Sequence, residues 1–101
     1  QVALRAKECC QQLPLFERGP LRLTVIFVRK RPERMRGAGR IYCSVKPDLD
    51  NLIKALKDAL KYIVWHDDAQ VARCEDEKVY AAPGEKPHVV VTVSRLPVEV
   101  T

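Results

Sequence analysis

Lys46-Pro47-Asp48-Leu49-Asp50-Asn51 runs straight into Leu52-Ile53-Lys54-Ala55-Leu56-Lys57-Asp58-Ala59-Leu60, and the reading of this stretch decides the fold. Pro47 keeps the backbone before it extended, so a helix has to begin beyond it. Leu49, Leu52, Ile53, Leu56, Ala59, Leu60 and Ile63 recur at spacings of three and four. That period predicts a helix of about three to four turns with a single apolar face. Such a face needs a sheet to bury against. The opposite side carries Asn51, Lys54, Lys57, Asp58 and Lys61 and is turned to solvent or to a ligand.

Strands are legible on both sides of the helix. Leu21-Arg22-Leu23-Thr24-Val25-Ile26-Phe27-Val28 alternates at first and is rich in β-branched and aromatic residues, which predicts a strand with one well-buried face. Downstream, Trp65-His66-Asp67-Asp68 breaks the helical period. Gln70 to Tyr80 and His88 to Leu96 are two further strand candidates, joined by the turn Pro83-Gly84-Glu85-Lys86-Pro87. In the last strand the alternation of Val89, Val91 and Val93 against Val90, Thr92 and Ser94 is typical of one buried face and one less buried. Ile41 to Val45 is a short extended segment. Val2 to Leu13 suits an amphipathic helix, stopped by Pro14 and by Arg18-Gly19-Pro20. The order helix, strand, basic loop, helix, strand, strand implies a small α+β domain, with a mostly antiparallel or mixed sheet packed against helices.

A chain of 101 residues, 47% hydrophobic, fits one domain spanning residues 1–101. Its net charge of +5 suits anionic partners but equally suits ordinary solubility. The distribution says more. Between Arg29 and Arg40 stand six basic residues (Arg29, Lys30, Arg31, Arg34, Arg36, Arg40) against Glu33 alone, so this window carries the whole excess. Cys9, Cys10, Cys43 and Cys74 show no metal-finger spacing and read as reduced, mostly buried thiols, which favours a cytoplasmic compartment. No signal peptide and no long apolar run support export or membrane spanning.

Asp48 and Asp50 are two apart, and in an extended segment both side chains project to the same side. Asp50 can instead cap the helix, accepting from a free first-turn N–H. Asp67 and Asp68 follow the helix, and an antiparallel return would carry one of them back toward the first pair. Carboxylates gathered this way repel unless a cation joins them. An oxygen-only donor set suits Mg²⁺, with Mn²⁺ tolerated. A Mg²⁺ held there would polarise a phosphodiester and promote attack by water. Lys54, one turn after Asp50, either stabilises negative charge on phosphoryl oxygens or forms an i,i+4 ion pair with Asp50 or Asp58. The plain alternative for the four acids is a solvated turn and a helix cap.

The basic window, with Lys46, reads as a flexible phosphate clamp that orders on binding, or as a surface charge run in a loop. His66 reads as a capping or interfacial histidine, with a base beside Asp67 as the alternative, and His88 carries no assignment. Tyr42 and Trp65 flank the helix and pack in the core by default, although either can stack on an exposed base. Gly-rich nucleotide loops and serine or cysteine nucleophile spacings are absent.

KPDLDNLIKALKDAL, WHDDAQV and the later Glu77-Lys78-Val79-Tyr80 together resemble the RusA-type Holliday junction resolvases, or crossover junction endodeoxyribonucleases. The resemblance spans about residues 45 to 80. It implies a small homodimeric, Mg²⁺-dependent endonuclease that binds four-way DNA junctions by structure and nicks two opposed strands symmetrically. By motif, Asp48, Asp50 and Asp68 resemble the catalytic, metal-binding acids, and Lys54 the helix lysine required for cleavage. Asp67 and Asn51 are similar to supporting residues, with Asn51 orienting Asp50 or capping the helix. Arg29, Lys30, Arg31, Arg34, Arg36, Arg40 and Lys46 correspond in place to a DNA-contacting region. Family members usually begin with a strand where this chain shows an apparent helix, which implies that the native N-terminal strand is missing here or has been lost. Two other classes stay open: a catalytically silent basic DNA-binding module, and a nuclease for another branched nucleic acid.

Overall fold

The computed structural model describes residues 2–3 and 13–100. Its elements in chain order are β1 (Val2–Ala3), β2 (Leu21–Arg29), β3 (Ile41–Tyr42), α1 (Leu49–Leu60), a 3₁₀ turn (Asp68–Gln70), β4 (Val71–Tyr80) and β5 (His88–Arg95). The strands form one sheet in the order β1-β5-β2-β4-β3. β2 pairs antiparallel with β5, from Leu21 opposite Arg95 to Val28 opposite His88. On its other side it pairs parallel with β4, from Leu21 opposite Val71 to Arg29 opposite Tyr80. The sheet is therefore mixed, as an α+β domain allows, and one of the two pairings of its central strand is parallel.

β2 is central because its sequence can be buried on one whole face. Leu21, Leu23 and Val25 have no exposed surface and Phe27 little, while Arg22, Thr24 and Ile26 on the other face are half-buried. Each fully buried Leu or Val there contributes roughly 1.5–3 kcal/mol. Against this face pack Phe16, Val64, Trp65 and Val93, together with Leu49, Leu52, Ile53, Leu56 and Leu60 of α1. Val28, Val79, Ala81 and Ile26 form a second, smaller cluster.

The helix expected beyond Pro47 is present, with Asp48 rather than Asp50 as its N-cap. The Asp48 carbonyl accepts from the amides of Asn51 (3.1 Å) and Leu52 (3.2 Å). It ends at Leu60, earlier than the apolar period suggests, because Tyr62 turns to φ 69° and its N–H donates to the Trp65 carbonyl (2.7 Å). That left-handed backbone is uncommon for a residue with a side chain. Ile63 still reaches the core from beyond the turn.

Other expectations are corrected. Val2 and Ala3 lie in a strand, opposite Val93 and Thr92 of β5, and not in a helix. The remainder of that expected helix, with Cys9 and Cys10, lies outside the described residues. Trp65 is fully buried as expected, whereas Tyr42, in the two-residue strand β3 at the sheet edge, is 74% exposed. Cys43 is buried but Cys74 is exposed. The valine face of β5 is buried only at Val93, and Val89 is 48% exposed. Among the described residues no helix is long and apolar enough to cross a membrane.

Replacing Leu23 by alanine leaves a cavity at the centre of this core and is expected to lower unfolding free energy in urea by about 2–5 kcal/mol. Val98→Ala, at a position 91% exposed, should stay within about 0.5 kcal/mol of the parent. Equal effects would place the core elsewhere.

Candidate active site

The N-terminus of α1 carries the first acid pair. Asp48 has extended backbone angles and makes no side-chain cap bond, and Asp50 sits in the first helical turn. Both are exposed, as are Asn51 and Lys54. Among the described residues neither carboxylate has a hydrogen-bond or ion-pair partner, and Lys54 pairs with neither Asp50 nor Asp58. The helix dipole favours negative charge at that end. Asp48 lines a shallow depression with Tyr42, Leu49, Asp76, Glu77 and Lys78.

The segment leading into this corner is held from below. The Arg29 guanidinium, at the end of β2, donates to the Lys46 carbonyl (2.8 Å). Lys78 of β4 donates to the carbonyls of Val45 and Pro47, the latter at 2.7 Å. The Cys43 amide completes the attachment by donating to the Lys78 carbonyl (2.9 Å).

Asp67 and Asp68 are arranged differently, with both carboxylates committed. Asp67 is the N-cap of the 3₁₀ turn and accepts from the Ala69 amide (2.9 Å). Asp68 accepts from the indole N–H of buried Trp65 (2.7 Å). Gln70 locks the turn: its Oε1 accepts from the amides of His66 (2.8 Å) and Asp67 (2.9 Å), and its Nε2 donates to the carbonyls of Phe16 (3.2 Å) and Gly19 (3.3 Å). His66 is exposed and meets Tyr62 edge-on at 5.9 Å.

The two acid pairs do not meet within one chain. Asp48 precedes α1 and Asp68 follows it, and the twelve residues of the helix span about 18 Å. α1 runs antiparallel to β4, so its start lies by Lys78 and the turn after it precedes Val71. Among the described residues no group of three His, Cys, Asp or Glu side chains is close enough to hold a metal ion. The return past the helix is made by a parallel strand, and this keeps the pairs at opposite ends of the helix.

The basic window is folded, not a free arm. Arg31 donates to the carbonyls of Met35 (3.3 Å), Arg36 (2.9 Å), Gly37 (2.9 Å), Gly39 (2.9 Å) and Ala81 (3.1 Å), so the loop wraps around its guanidinium. Gly37, at φ 112°, makes the turn that this wrapping needs. Arg40 forks onto Glu85, at 3.1 Å and 2.6 Å. Thus Arg29, Arg31 and Arg40 have internal partners, and Lys30, Arg34, Arg36 and Lys46 remain as exposed cations.

Residues 1–94 match the family Endodeoxyribonuclease RusA. The chain belongs to the RusA family. It is 31% identical over 84 residues to YqaN, an uncharacterized protein of Bacillus subtilis (strain 168), an alignment covering 74% of this chain and 57% of that relative. The chain thus spans little more than half the length of the curated relative it matches. No solved structure matches it. Within this RusA-family chain, residues that the sequence reading passed over hold the site together. Gln70 and Lys78 stand in the DDAQV and EKVY segments, where position marked them but nothing stated their partners. Asp76 joins Asp48 in one depression because its strand places it there.

The hydrogen-bonded fork from Arg40, aided by the Ala82 amide, holds the Glu85 carboxyl down at about 2, below its ordinary 4.5. A lowered folded-state pKa means stability that is present above pH 4.5 and lost as pH falls toward 2. Glu85→Gln should therefore flatten the acid limb of the stability curve between those values. An unchanged limb would show that the pair does not hold the loop.

Proposed function

We propose that this chain is a metal-dependent, structure-selective endodeoxyribonuclease that resolves four-way DNA junctions, acting as a homodimer through paired, symmetric phosphodiester hydrolysis. The observation that carries the reading is an uncommitted carboxylate pair at a helix N-terminus in a chain of the RusA family. Asp48 and Asp50 offer hard oxygen donors with no competing partner among the described residues, which fits Mg²⁺ or Mn²⁺ and argues against zinc. When bound, such an ion supplies Lewis-acid polarisation of a phosphodiester. Lys54, one turn along the helix, offsets charge on the phosphoryl oxygens. Asn51 supports the first turn. Lys30, Arg34, Arg36 and Lys46 meet backbone phosphates, positioning the DNA without reading its bases.

Asp68 enters this scheme only from a second copy. A cation binds carboxylate oxygens at about 2.0–2.6 Å, and α1 separates Asp68 from Asp48 in the same chain by its own length. Two antiparallel copies of α1 would set the Asp67-Asp68 turn of one beside Asp48 and Asp50 of the other. The indole bond engages one oxygen of Asp68, and the second is available to a ligand. The competing arrangement would draw Asp76 of the same chain toward Asp48, with which it shares the depression, although among the described residues no three such side chains stand close enough in the folded chain to hold a metal.

The deciding assay compares a four-way DNA junction with linear duplex and single strand of the same sequences, at low salt, with Mg²⁺ and with EDTA. Paired nicks on the junction alone, only with metal, are expected. Equal cutting of duplex would refute structure selectivity, and metal-independent binding without cutting would favour a silent binding module.

Mixing Asp48→Asn and Asp68→Asn chains separates the two site arrangements. Each variant alone should be inactive, and a shared site regains one intact centre in the mixed dimer, visible as single nicks. An Asp68→Asn chain that cuts at the parental rate by itself would take Asp68 out of the site and make Asp76→Asn the informative variant.

A further inference from the structure

We infer that Lys78, with Arg29, is a positioning residue for the acid pair: a two-cation clamp that captures three successive backbone carbonyls and sets the direction in which Asp48 and Asp50 point. The inference rests on the nuclease reading of that pair and adds to it residues outside the acidic motif. Val45, Lys46 and Pro47 form the strap between β3 and α1, and Val45 and Lys46 are exposed. Pro47 has no N–H to donate. The strap therefore gains little from burial or from regular backbone pairing. Lys78 instead takes the carbonyls of Val45 and Pro47, and Arg29 takes that of Lys46 between them.

The two cations come from the C-terminal ends of neighbouring parallel strands, where Phe27 pairs with Lys78 and Arg29 with Tyr80. They are thus anchored on the central strand and its parallel neighbour. The Pro47 carbonyl belongs to the peptide bond whose nitrogen is that of Asp48, so Lys78 grips the residue immediately before the N-cap. Asp48 lacks a side-chain cap bond that would orient its carboxylate locally. Orientation of a ligating group by an outer layer of hydrogen bonds is a common requirement, and its loss typically weakens metal affinity or activity on the order of 10- to 100-fold. Lys78 has three donors, and this geometry uses two of them on the strap.

The test compares the parent with Lys78→Met, Lys78→Arg and Arg29→Met. Three quantities are read: Mn²⁺ affinity of the DNA-free protein by calorimetry, amide hydrogen exchange at Asn51 and Leu52, and the Mg²⁺ concentration that half-saturates junction cleavage. Lys78→Met should weaken Mn²⁺ binding and raise the half-saturating Mg²⁺ on the order of 10- to 100-fold. It should also speed exchange at Asn51 and Leu52 while exchange in β2 stays at the parental rate. Lys78→Arg should recover part of each loss, and Arg29→Met should give a smaller loss of the same kind. A general loss of stability would instead speed exchange throughout and lower the active fraction without moving the metal dependence, and that result overturns the inference. Parental metal affinity and exchange in Lys78→Met overturns it as well. Faster exchange at Asn51 in Lys78→Met together with a parent that binds no Mn²⁺ overturns the metal-site reading and reduces Lys78 to a structural clamp.

Discussion

β2 and β4 run parallel, and a parallel pair cannot be closed by a tight turn. The chain has to travel back along the length of the sheet before β4 can start beside the beginning of β2, and α1 makes that journey. Its position is then determined: the N-terminus of α1 stands over the C-terminal ends of β2 and β4, and its C-terminus over their beginnings. In open sheets with such crossovers, ligands gather outside the carboxyl ends of the strands. Asp48 and Asp50 are at that end, beside Lys78 and Arg29, and Asp67-Asp68 are at the other. One pairing choice at the centre of the sheet thus decides which acids share a surface.

Positive charge in this protein does more internal work than its net excess suggests. Arg31 gathers the carbonyls of a loop that has little regular pairing, Arg29 and Lys78 gather those of the strap before α1, and Arg95 reaches the Arg18 carbonyl while its guanidinium stands 5.0 Å from the Phe16 ring. Ordered backbone carbonyls need partners, and hydrogen bonds from charged donors are stronger than neutral ones, about 1.5–3 kcal/mol each. A basic residue spent this way is a poor phosphate ligand, and its count overstates the nucleic-acid surface. Of the basic window and Lys46, Lys30, Arg34, Arg36 and Lys46 are the exposed cations that no such internal contact engages among the described residues.

What was legible in the sequence was local. The three-and-four spacing of Leu49, Leu52, Ile53 and Leu56 identified α1, and the alternation through Leu21, Leu23 and Val25 identified β2, because each pattern reports burial of its own face. The family motif marked Asp48, Asp50 and Asp68. Periodicity does not say which strands become neighbours, so it could not reveal that β4 returns parallel to β2, nor that Asp68 would lie a helix length from Asp48. Tyr42 is exposed because β3 lies at the sheet edge, which nothing within Ile41-Tyr42 encodes. The wrapping of residues 32–40 around Arg31 was hidden for a related reason: a Pro- and Gly-containing run with no apolar period looks disordered when its organising contact is one polar side chain with several carbonyls.

The separation of the two acid pairs also bears on how this chain can fold alone. Two like charges about 4 Å apart repel by about 1 kcal/mol even in bulk water, and by several times that near protein, whereas at about 18 Å in water the figure is about 0.2 kcal/mol. Asp48 and Asp50 are exposed to water at a helix N-terminus, and Asp67 and Asp68 are neutralised in part by an amide and an indole N–H. Each pair is therefore tolerable by itself without a counter-ion. Gathering both pairs at one point would not be, and the folded chain avoids that cost by holding them at opposite ends of α1. Any assembly that brings them together has to supply a cation at the same moment, so association through those surfaces and metal binding would be thermodynamically linked.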